Sequence, residues 1–386
     1  MFSIENFYYV LYTNLFKPLN INGKYFLPFG STDPNNLSSI KKHTTKTHDC
    51  VFYDQEPLFN KTVDKLLASG GLLNCKKINI LANSEYSEVK RSICKQNQFL
   101  DWYYFYHGFA ALDWYQDYQY FSEVECQYTK VFMSLNRLMT NDRSYRLALV
   151  SLFLEKNLID KGVISLHLND QGWGDWKSEL SSVDTKLSPY QIELITKHIG
   201  QLSGSIIADT DQPRGDLSAA SGMPQLKFNQ SALWHVVSET VFYYDKLHLT
   251  EKIFKPIFSK RPFILVAAPG NLAYLKSYGF RTFDRWIDES YDNEKDHQTR
   301  LEKIAAEIEK LCNLSPADLK KMHQEMREVL EFNFNHFYGE FKTIIVRELL
   351  ENFKNIARQW NNGRVDGRNM DVSLLDFPTI EKRLLQ

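Results

Sequence analysis

The chain alternates short apolar runs with segments of helical periodicity, and this alternation restricts the folds open to it more than any other feature. The runs are typical of β-strands and end in polar or glycine-containing segments. The predicted strands are 50–55, 77–83, 130–136, 162–168, 205–209, 232–239 and 262–268. The predicted helices between them are 60–70, 85–96, 143–157, 188–200, 251–260 and 271–278. Strands that alternate with helices in this way predict an α/β fold.

The chain of 386 residues exceeds the size of one ordinary hydrophobic core, so two domains are expected. The strand KVFMSLN (130–136) and the long helix after it look like the first β–α unit of a new domain. We therefore predict an N-terminal domain over 1–126 and a C-terminal domain over 127–345. From about residue 299 the composition is that of amphipathic helices, and 346–386 is predicted as a helix and tail that could pack back on the N-terminal domain.

Charge, cysteine content and hydropathy weigh against several classes of protein. The formal net charge of −1 gives no electrostatic footprint for nucleic acid. The five cysteines are scattered and lack CxxC spacing, which predicts free thiols in a reducing compartment. No run of 18 apolar residues is present, so we expect no membrane span and predict a cytoplasmic protein. The phosphate-loop, GxSxG, HExxH and GxGxxG motifs are also missing, which weakens kinase-type, hydrolase and dehydrogenase interpretations.

The stretch HLTEKIFKPIFSKRPFILVAAPG (248–270) places an acid and a base where a helix begins. Thr250 is a good N-cap, because its hydroxyl can accept a backbone N–H of the first turn. Lys252 adds a mobile positive charge suited to a diphosphate, and Glu251 could accept hydrogen bonds from both hydroxyls of a ribose. Pro256 should limit or kink the helix. A capped helix with a solvated Glu and Lys is the structural alternative.

The wider context of this stretch resembles a known family. The sequence VVSETVFYYDKLHLTEKIFKPIFSKRPFIL (236–265) looks like the C-terminal signature of α1,3-fucosyltransferase-type glycosyltransferases, and the chain also resembles phage-encoded glycosyltransferases. In that family an ENS-like triplet precedes a (V/L)TEK motif, a helix and an apolar strand. Here Ser238-Glu239-Thr240 stands in for the triplet, and Leu249-Thr250-Glu251-Lys252 matches the second element.

Two further segments match the family in the right order. KVFMSLNRLMTNDRSYRLALVSLF (130–153) resembles its strand, polar loop and arginine-started helix, whose arginine binds the donor diphosphate. Arg146 is the best candidate by spacing, with Arg143 and Arg137 as competitors. VFYDQEPLF (51–59) resembles the strand end that carries the family's proposed catalytic Glu, which falls on Glu56 here. Asp54 and His107 are alternative bases on chemical grounds.

The resemblance implies a GT-B fold, in which two Rossmann-like domains face each other across a cleft and the donor binds the C-terminal one. It implies transfer of a sugar from a GDP- or UDP-sugar to an acceptor hydroxyl, inverting and without a metal. Arg146 and Lys252 would then hold the diphosphate, and Glu251 the ribose. Glu239 and Tyr244 would shape the donor pocket. Separately from the resemblance, the density of aromatic residues in the N-terminal domain predicts that the acceptor stacks on Trp102, Tyr103 or Trp114, with His107 as a further acceptor-binding candidate.

Three alternatives stay open. Asp209-Thr210-Asp211 follows an apolar run and could hold a divalent metal, as in GT-A enzymes. The acceptor could be a saccharide or glycoconjugate, which the near-neutral charge favours, or a hydroxymethylated base in DNA, which the phage-like resemblance favours. A protein that kept the nucleotide-sugar pocket and lost catalysis would carry the same motifs.

Overall fold

The computed structural model describes residues 2–26, 49–53, 57–58, 78–120, 128–170, 174–206, 231–363 and 365–386. These residues form two compact units. The first contains the described residues up to Asp117 together with Tyr338–Gln386, and the second contains those from Tyr118 to Phe337. Each unit has its own parallel sheet, so the chain is a mixed α/β protein with many helices. None of the helices in this part of the chain is long and apolar enough to cross a lipid bilayer.

The first unit is built on a four-stranded parallel sheet with the strand order β1-β2-β3-β5. Its elements up to Asp117 are α1 (Ile4–Leu11), a π-helical turn (Tyr12–Phe16), β1 (Gly23–Phe26), β2 (Cys50–Tyr53), β3 (Ile80–Asn83), β4 (Tyr86–Ser87), α2 (Glu88–Gln96), β5 (Leu100–Tyr103) and α3 (Tyr106–Trp114). The residues of β2 and β3 are buried throughout, as expected of parallel strands covered on both faces. Aromatic rings fill much of this core, including Phe16, Phe52 and Trp102.

The sheet of the second unit has the order β12-β10-β6-β7, and all of its pairs are parallel. The strands of this unit are β6 (Lys130–Asn136), β7 (Gly162–Leu166), β8 (Asn169–Asp170), β9 (Gly174–Asp175), β10 (Ala232–Ser238), β11 (Lys246–Leu247) and β12 (Phe263–Val266). β8 and β9 form a short antiparallel pair. The predicted strand over 130–136 has the observed bounds of β6, and the one over 232–239 ends one residue later than β10.

The helices of the second unit lie between its strands or after the last of them. They are α4 (Tyr145–Glu155), α5 (Trp176–Leu180), α6 (Pro189–His198), α7 (Phe254–Phe258), α8 (Asn271–Ser277), α9 (His297–Cys312) and α10 (Pro316–Tyr338), whose last residue belongs to the first unit. α4 is buried from Tyr145 to Phe153, because its sequence is apolar on all sides. α6 begins with a capping box between Ser188 and Gln191 and has Pro189 in its first turn.

The chain returns to the first unit with α11 (Glu340–Gly363) and α12 (Phe377–Leu385). The indole Nε1 of Trp102 donates to the Leu349 carbonyl oxygen at 3.3 Å, and its ring lies 5.2 Å from that of Phe353. The predicted domain boundaries lie at 126/127 and 345/346. The observed boundaries between the two units lie after Asp117 and after Phe337. The segment 346–386, predicted as a helix and tail, contains most of α11 and the helix α12.

Candidate functional site

β6 and β10 are the two central strands of the second sheet, and from their ends the chain runs to opposite edges of the sheet. β6 leads through α4 to β7 on one side, and β10 leads through α7 to β12 on the other. In open α/β sheets such a switch point opens a crevice at the carboxyl ends of the strands, and ligands bind there. Arg146 and Glu239 follow these two strand ends. The geometry of the second unit therefore brings together at this point the segments for which the sequence predicts donor binding.

The carboxylate of Glu239 joins the SET and TEK segments. It is fully buried and accepts hydrogen bonds from the Thr250 backbone N–H at 3.1 Å and the Thr250 hydroxyl at 2.6 Å. The backbone N–H of Thr240 lies 3.3 Å from its Oε2 atom. Thr250 is also the N-cap of the helical turn Glu251–Ile253, as predicted, because its side chain accepts from the Lys252 backbone N–H. The two motifs form one hydrogen-bonded unit.

The ammonium group of Lys252 is held at the same point. Its Nζ atom lies 3.0 Å from the Thr250 hydroxyl oxygen, 3.4 Å from that of Thr240 and 3.4 Å from Oε1 of Glu251. The Lys252 side chain keeps 29% of its surface exposed, whereas the Glu251 side chain keeps 6%. Lys252 therefore presents a positioned positive charge, whereas the Glu251 carboxylate beside it is largely buried.

The predicted helix over 251–260 is shorter than expected. A 3-10 turn over Glu251–Ile253 leads into α7, which ends at Phe258. Pro256 lies within the first turn of α7, where a missing backbone N–H is tolerated, and α7 ends two residues after it. The segment leaves Lys252 at its first turn and buries its apolar residues.

Arg146 binds protein carbonyl oxygens instead of facing solvent. Its Nη1 atom donates to Leu138 O at 2.7 Å, and Nη2 donates to Ser238 O at 3.0 Å and Glu239 O at 3.3 Å. With a further contact from Nε to the Tyr145 hydroxyl, one of its five N–H groups remains for a ligand. Arg146 thus ties the ends of β6 and β10 together. Its competitors Arg143 and Arg137 are half-buried in the loop after β6.

Tyrosine hydroxyls connect the loop after β6 to the loop after β10. Tyr244 donates to Oδ1 of Asp142 at 2.7 Å, and the Tyr243 and Ser144 hydroxyls lie 2.9 Å apart. The Tyr145 hydroxyl donates to Glu239 O at 2.6 Å. Burial raises the pKa of both Tyr243 and Tyr244. These bonds hold the two loops in one arrangement at the switch point.

Glu179 supports the same loop from α5. Its Oε2 atom accepts from the Asn141 backbone N–H at 2.7 Å, where Asn141 has a positive φ of 56°. Burial raises the pKa of Glu179. The sequence offers no sign of this contact, because Glu179 lies 38 residues from Asn141 in a short helix of ordinary composition.

The acceptor-side predictions fall in the first unit. Trp102 and Tyr103, two of the predicted stacking surfaces, are core residues instead, with 0% and 3% of their surfaces exposed. Both lie in or at the end of β5, where neighbouring elements cover them. His107 is buried in α3, and Trp114 is half-buried at the end of that helix. Of the four, Trp114 is the most exposed.

Four acidic residues with predicted roles lie outside the described residues. They are Asp54 and Glu56, the candidate bases, and Asp209 and Asp211, the candidate metal ligands. Within the described ranges, no group of three His, Cys, Asp or Glu side chains is placed to hold a metal ion. Cys50, Cys94 and Cys312 are free thiols, as predicted, and burial raises the pKa of Cys94 to about 12 and that of Cys312 to about 11.

A buried carboxylate that the sequence did not indicate lies next to Leu58. Glu85, directly after β3, is fully buried and accepts from the Leu58 backbone N–H at 2.6 Å. It also accepts from the Ser87 hydroxyl. Glu85 therefore fixes the chain two residues after Glu56. A Glu in the polar string NSEYSE gives no hint of this contact, which spans 27 residues.

Comparison of the chain with protein-family models, with curated proteins and with solved structures finds no match.

Proposed function

We propose that the protein is a glycosyltransferase, which moves a sugar from a nucleoside-diphosphate sugar to the hydroxyl of a saccharide or glycoconjugate. One observation carries the proposal. Ser238-Glu239-Thr240 and Thr250-Glu251-Lys252, the two motifs of the family resemblance, form one hydrogen-bonded unit at the switch point of a parallel sheet. A chance match of two short motifs gives no reason for such a unit.

In this proposal each residue at the nucleotide-sugar site has its own role. The Lys252 ammonium, with Arg143 and Arg137 from the loop after β6, binds the diphosphate and stabilises the charge that builds up as the nucleotide leaves. Glu251 accepts hydrogen bonds from the ribose. Arg146 and Glu239 act through other residues, because they hold the strand ends and Thr250 in place. Tyr244 lines the pocket.

The reaction in this proposal is a single displacement. The acceptor hydroxyl attacks the anomeric carbon, the bond from that carbon to the diphosphate breaks, and the configuration inverts. By the resemblance, Glu56 takes the proton of the attacking hydroxyl, and no metal is required. The proposed fold is GT-B, which needs two units that are each built on a parallel sheet, and a cytoplasmic location agrees with the free thiols.

Donor binding is the direct test. At a ligand concentration of 100 times Kd, a ligand that binds only the folded state stabilises it by about 2.7 kcal/mol. We therefore expect a GDP- or UDP-sugar to raise the melting temperature in a thermal-shift panel. We expect Lys252→Ala to weaken binding of that nucleotide about tenfold or more, because a charge-assisted contact is lost.

Lys276→Ala is the matched control, because Lys276 belongs to the same unit and pairs with Asp284 and Glu289 away from the motifs. Equal nucleotide affinity in Lys252→Ala and wild type would show that the donor site is elsewhere. Slow hydrolysis of the donor by wild type, lost in Glu56→Gln, would distinguish an enzyme from a nucleotide-sugar-binding protein.

A further inference from the structure

The two central strands of the second sheet each end on a polar residue. β6 and β10 are paired as far as His235 opposite Met133, and Ser238 and Asn136 follow three residues later as the last residues of the two strands. Both strand ends remain paired on their outer sides, Ser238 with Val266 and Asn136 with Leu166. This row of strand ends therefore reads Val266, Ser238, Asn136, Leu166 across the sheet, with a polar centre at the switch point.

Both polar side chains lie on the face that α4 covers. Phe132 packs against Phe153 of α4 with 5.1 Å between ring centroids, and side chains two apart along a strand share a face. Asn136 lies four residues after Phe132, and Ser238 lies four residues after Trp234, which is paired with Phe132, so both side chains face the same way. α4 begins just above this row, with Arg146 donating to the Ser238 carbonyl oxygen.

Two atoms of this pair have no hydrogen-bond partner among the described residues. Asn136 and Ser238 are 1% and 5% exposed, and Oδ1 of Asn136 and Oγ of Ser238 are both buried and unpaired. The Nδ2 group of Asn136 is used, since it donates to the Ser134 hydroxyl at 3.0 Å. Leaving a buried polar atom unpaired costs about 1–3 kcal/mol, so two neighbouring ones at a ligand-binding position call for a partner.

We infer that Asn136 and Ser238 bind one hydroxyl group of the nucleotide-sugar, an inference that rests on the proposed function. The hydroxyl donates its proton to Oδ1 of Asn136 and accepts the proton of the Ser238 hydroxyl, so both unpaired atoms gain a partner at once. A phosphate oxygen can only accept, which leaves Oδ1 of Asn136 unpaired. An ammonium group can only donate, which leaves the Ser238 proton unpaired.

The pair would make the site selective. Val266 and Leu166 on either side offer no polar side-chain atom, so recognition at this row depends on the one hydroxyl. A site built to hydrogen-bond a hydroxyl rejects an analogue without it, because its own buried groups are then left unpaired. The hydroxyl belongs either to the ribose or to the transferred sugar, and the binding experiment below distinguishes the two.

The experiment measures binding by isothermal titration calorimetry to wild type and Ser238→Ala. The ligands are UDP, GDP, their 2′-deoxy and 3′-deoxy forms, UDP-glucose and GDP-mannose. We expect Ser238→Ala to bind the recognised nucleotide about tenfold more weakly, the effect of one hydrogen bond. If the ribose is bound, the loss is seen with the plain diphosphate and vanishes with one deoxy form. If the transferred sugar is bound, only the nucleotide-sugar loses affinity.

Ser151→Ala is the matched control, because Ser151 is buried in α4 and its hydroxyl donates to Leu147 O in the same helix. Asn136→Ser is a second variant, which should lose affinity for the same ligand. Unchanged affinity of Ser238→Ala for every ligand, with only a lower melting temperature, would show that Ser238 serves the fold and not the ligand and would overturn the inference. If wild type bound no nucleotide at all, the proposed function would fail together with it.

Discussion

Glu239 lies at the end of β10, where three hydrogen-bond donors converge on its carboxylate. Two are backbone N–H groups and one is the Thr250 hydroxyl, and all are buried with it. A buried carboxylate is tolerated when donors surround it, and these donors in turn have few other acceptors. The resemblance assigns Glu239 to the donor pocket, and the structure shows a residue that positions Thr250 and, through it, Lys252.

Replacing Glu239 with Gln tests this role. An amide keeps the shape of the side chain but turns one acceptor oxygen into an NH₂ group, which faces N–H donors. We expect a loss of about 1–3 kcal/mol in the free energy of unfolding, measured by urea denaturation. Glu328→Gln is the control, since the Glu328 side chain is 84% exposed and should change the stability by less than about 0.5 kcal/mol. Equal stabilities of the two variants would contradict the assigned role.

At the scale of the elements, α8 ends at a glycine that its surroundings require. Gly279 has a φ of +92°, and its N–H donates to Lys276 O at 2.9 Å, as in a left-handed helix C-cap. A Cβ atom at this position would lie 2.8 Å from the His336 ring. That ring cannot move away freely, because its Nε2 atom lies 2.7 Å from the Tyr278 carbonyl oxygen.

Gly279→Ala should therefore destabilise the protein through both backbone strain and overpacking. We expect a loss of about 2–4 kcal/mol in the free energy of unfolding, to be measured by chemical denaturation. Gly204→Ala provides the comparison, because a Cβ atom at Gly204 meets nothing within 4 Å. Comparable effects of the two substitutions would show that the contact with His336 does not constrain α8.

The elements also show how far the sequence determines this fold. β6 and β10 were predictable because mainly apolar runs of seven residues between polar segments are typical of buried strands. α3 was missed because it is buried almost all round and has no amphipathic periodicity. α12 was missed although Asp376 and Pro378 gave a start signal, Asp376 being its N-cap.

The candidate site was predictable only where its residues are close in the chain. Thr250, Glu251 and Lys252 are recognisable as a capped turn with a charged pair. The bond from Glu239 to Thr250 and the support from Glu179 depend on how strands and loops meet, which local periodicity does not encode. Arg146 shows the same limit, because its spacing matched a ligand-binding arginine while the fold directs its guanidinium to backbone carbonyls.

On the scale of the whole molecule, buried histidines make the stability depend on pH. Burial, and then the charge of Arg261, lowers the pKa of His235 to about 3 and that of His323 to about 4. Both are neutral in the folded protein at neutral pH, whereas the unfolded chain takes up their protons below about pH 6.5. Their contribution is therefore complete above pH 6.5 and is lost as the pH falls towards 4.

His323→Gln should reduce this dependence, because Gln does not titrate and its amide can still bond to the Tyr128 hydroxyl that His323 contacts. We expect the free energy of unfolding of wild type to fall more steeply between pH 7 and pH 5 than that of the variant. The difference should stay below the limit of about 1.4 kcal/mol per pH unit for one fully shielded imidazole, since His323 is part-exposed. Urea denaturation at both pH values measures it, and parallel slopes would contradict the prediction.

The first unit also depends on residues that come last in the chain. Besides the bond from Trp102 to Leu349, the Tyr338 hydroxyl donates to Tyr115 O at 2.8 Å and Arg368 pairs with Asp49. We expect a chain truncated after Phe337 to lose the protease resistance of residues 78–117 while the second unit stays protected. Limited proteolysis with mass spectrometry would show this, and equal protection of both units would contradict it.

The first unit combines the segment up to Asp117 with the segment from Tyr338 onwards, and this sets the order in which the protein can fold as it leaves the ribosome. Tyr338 follows Asp117 by 221 residues, which takes about 10–45 s to translate at the usual rate. The second unit is synthesised in that interval and can fold at once. Until then α11 cannot cover β2, β3 and β5. The aromatic side chains around these strands stay exposed, so they can bind chaperones or aggregate. The part of the protein made first is thus the last to be completed.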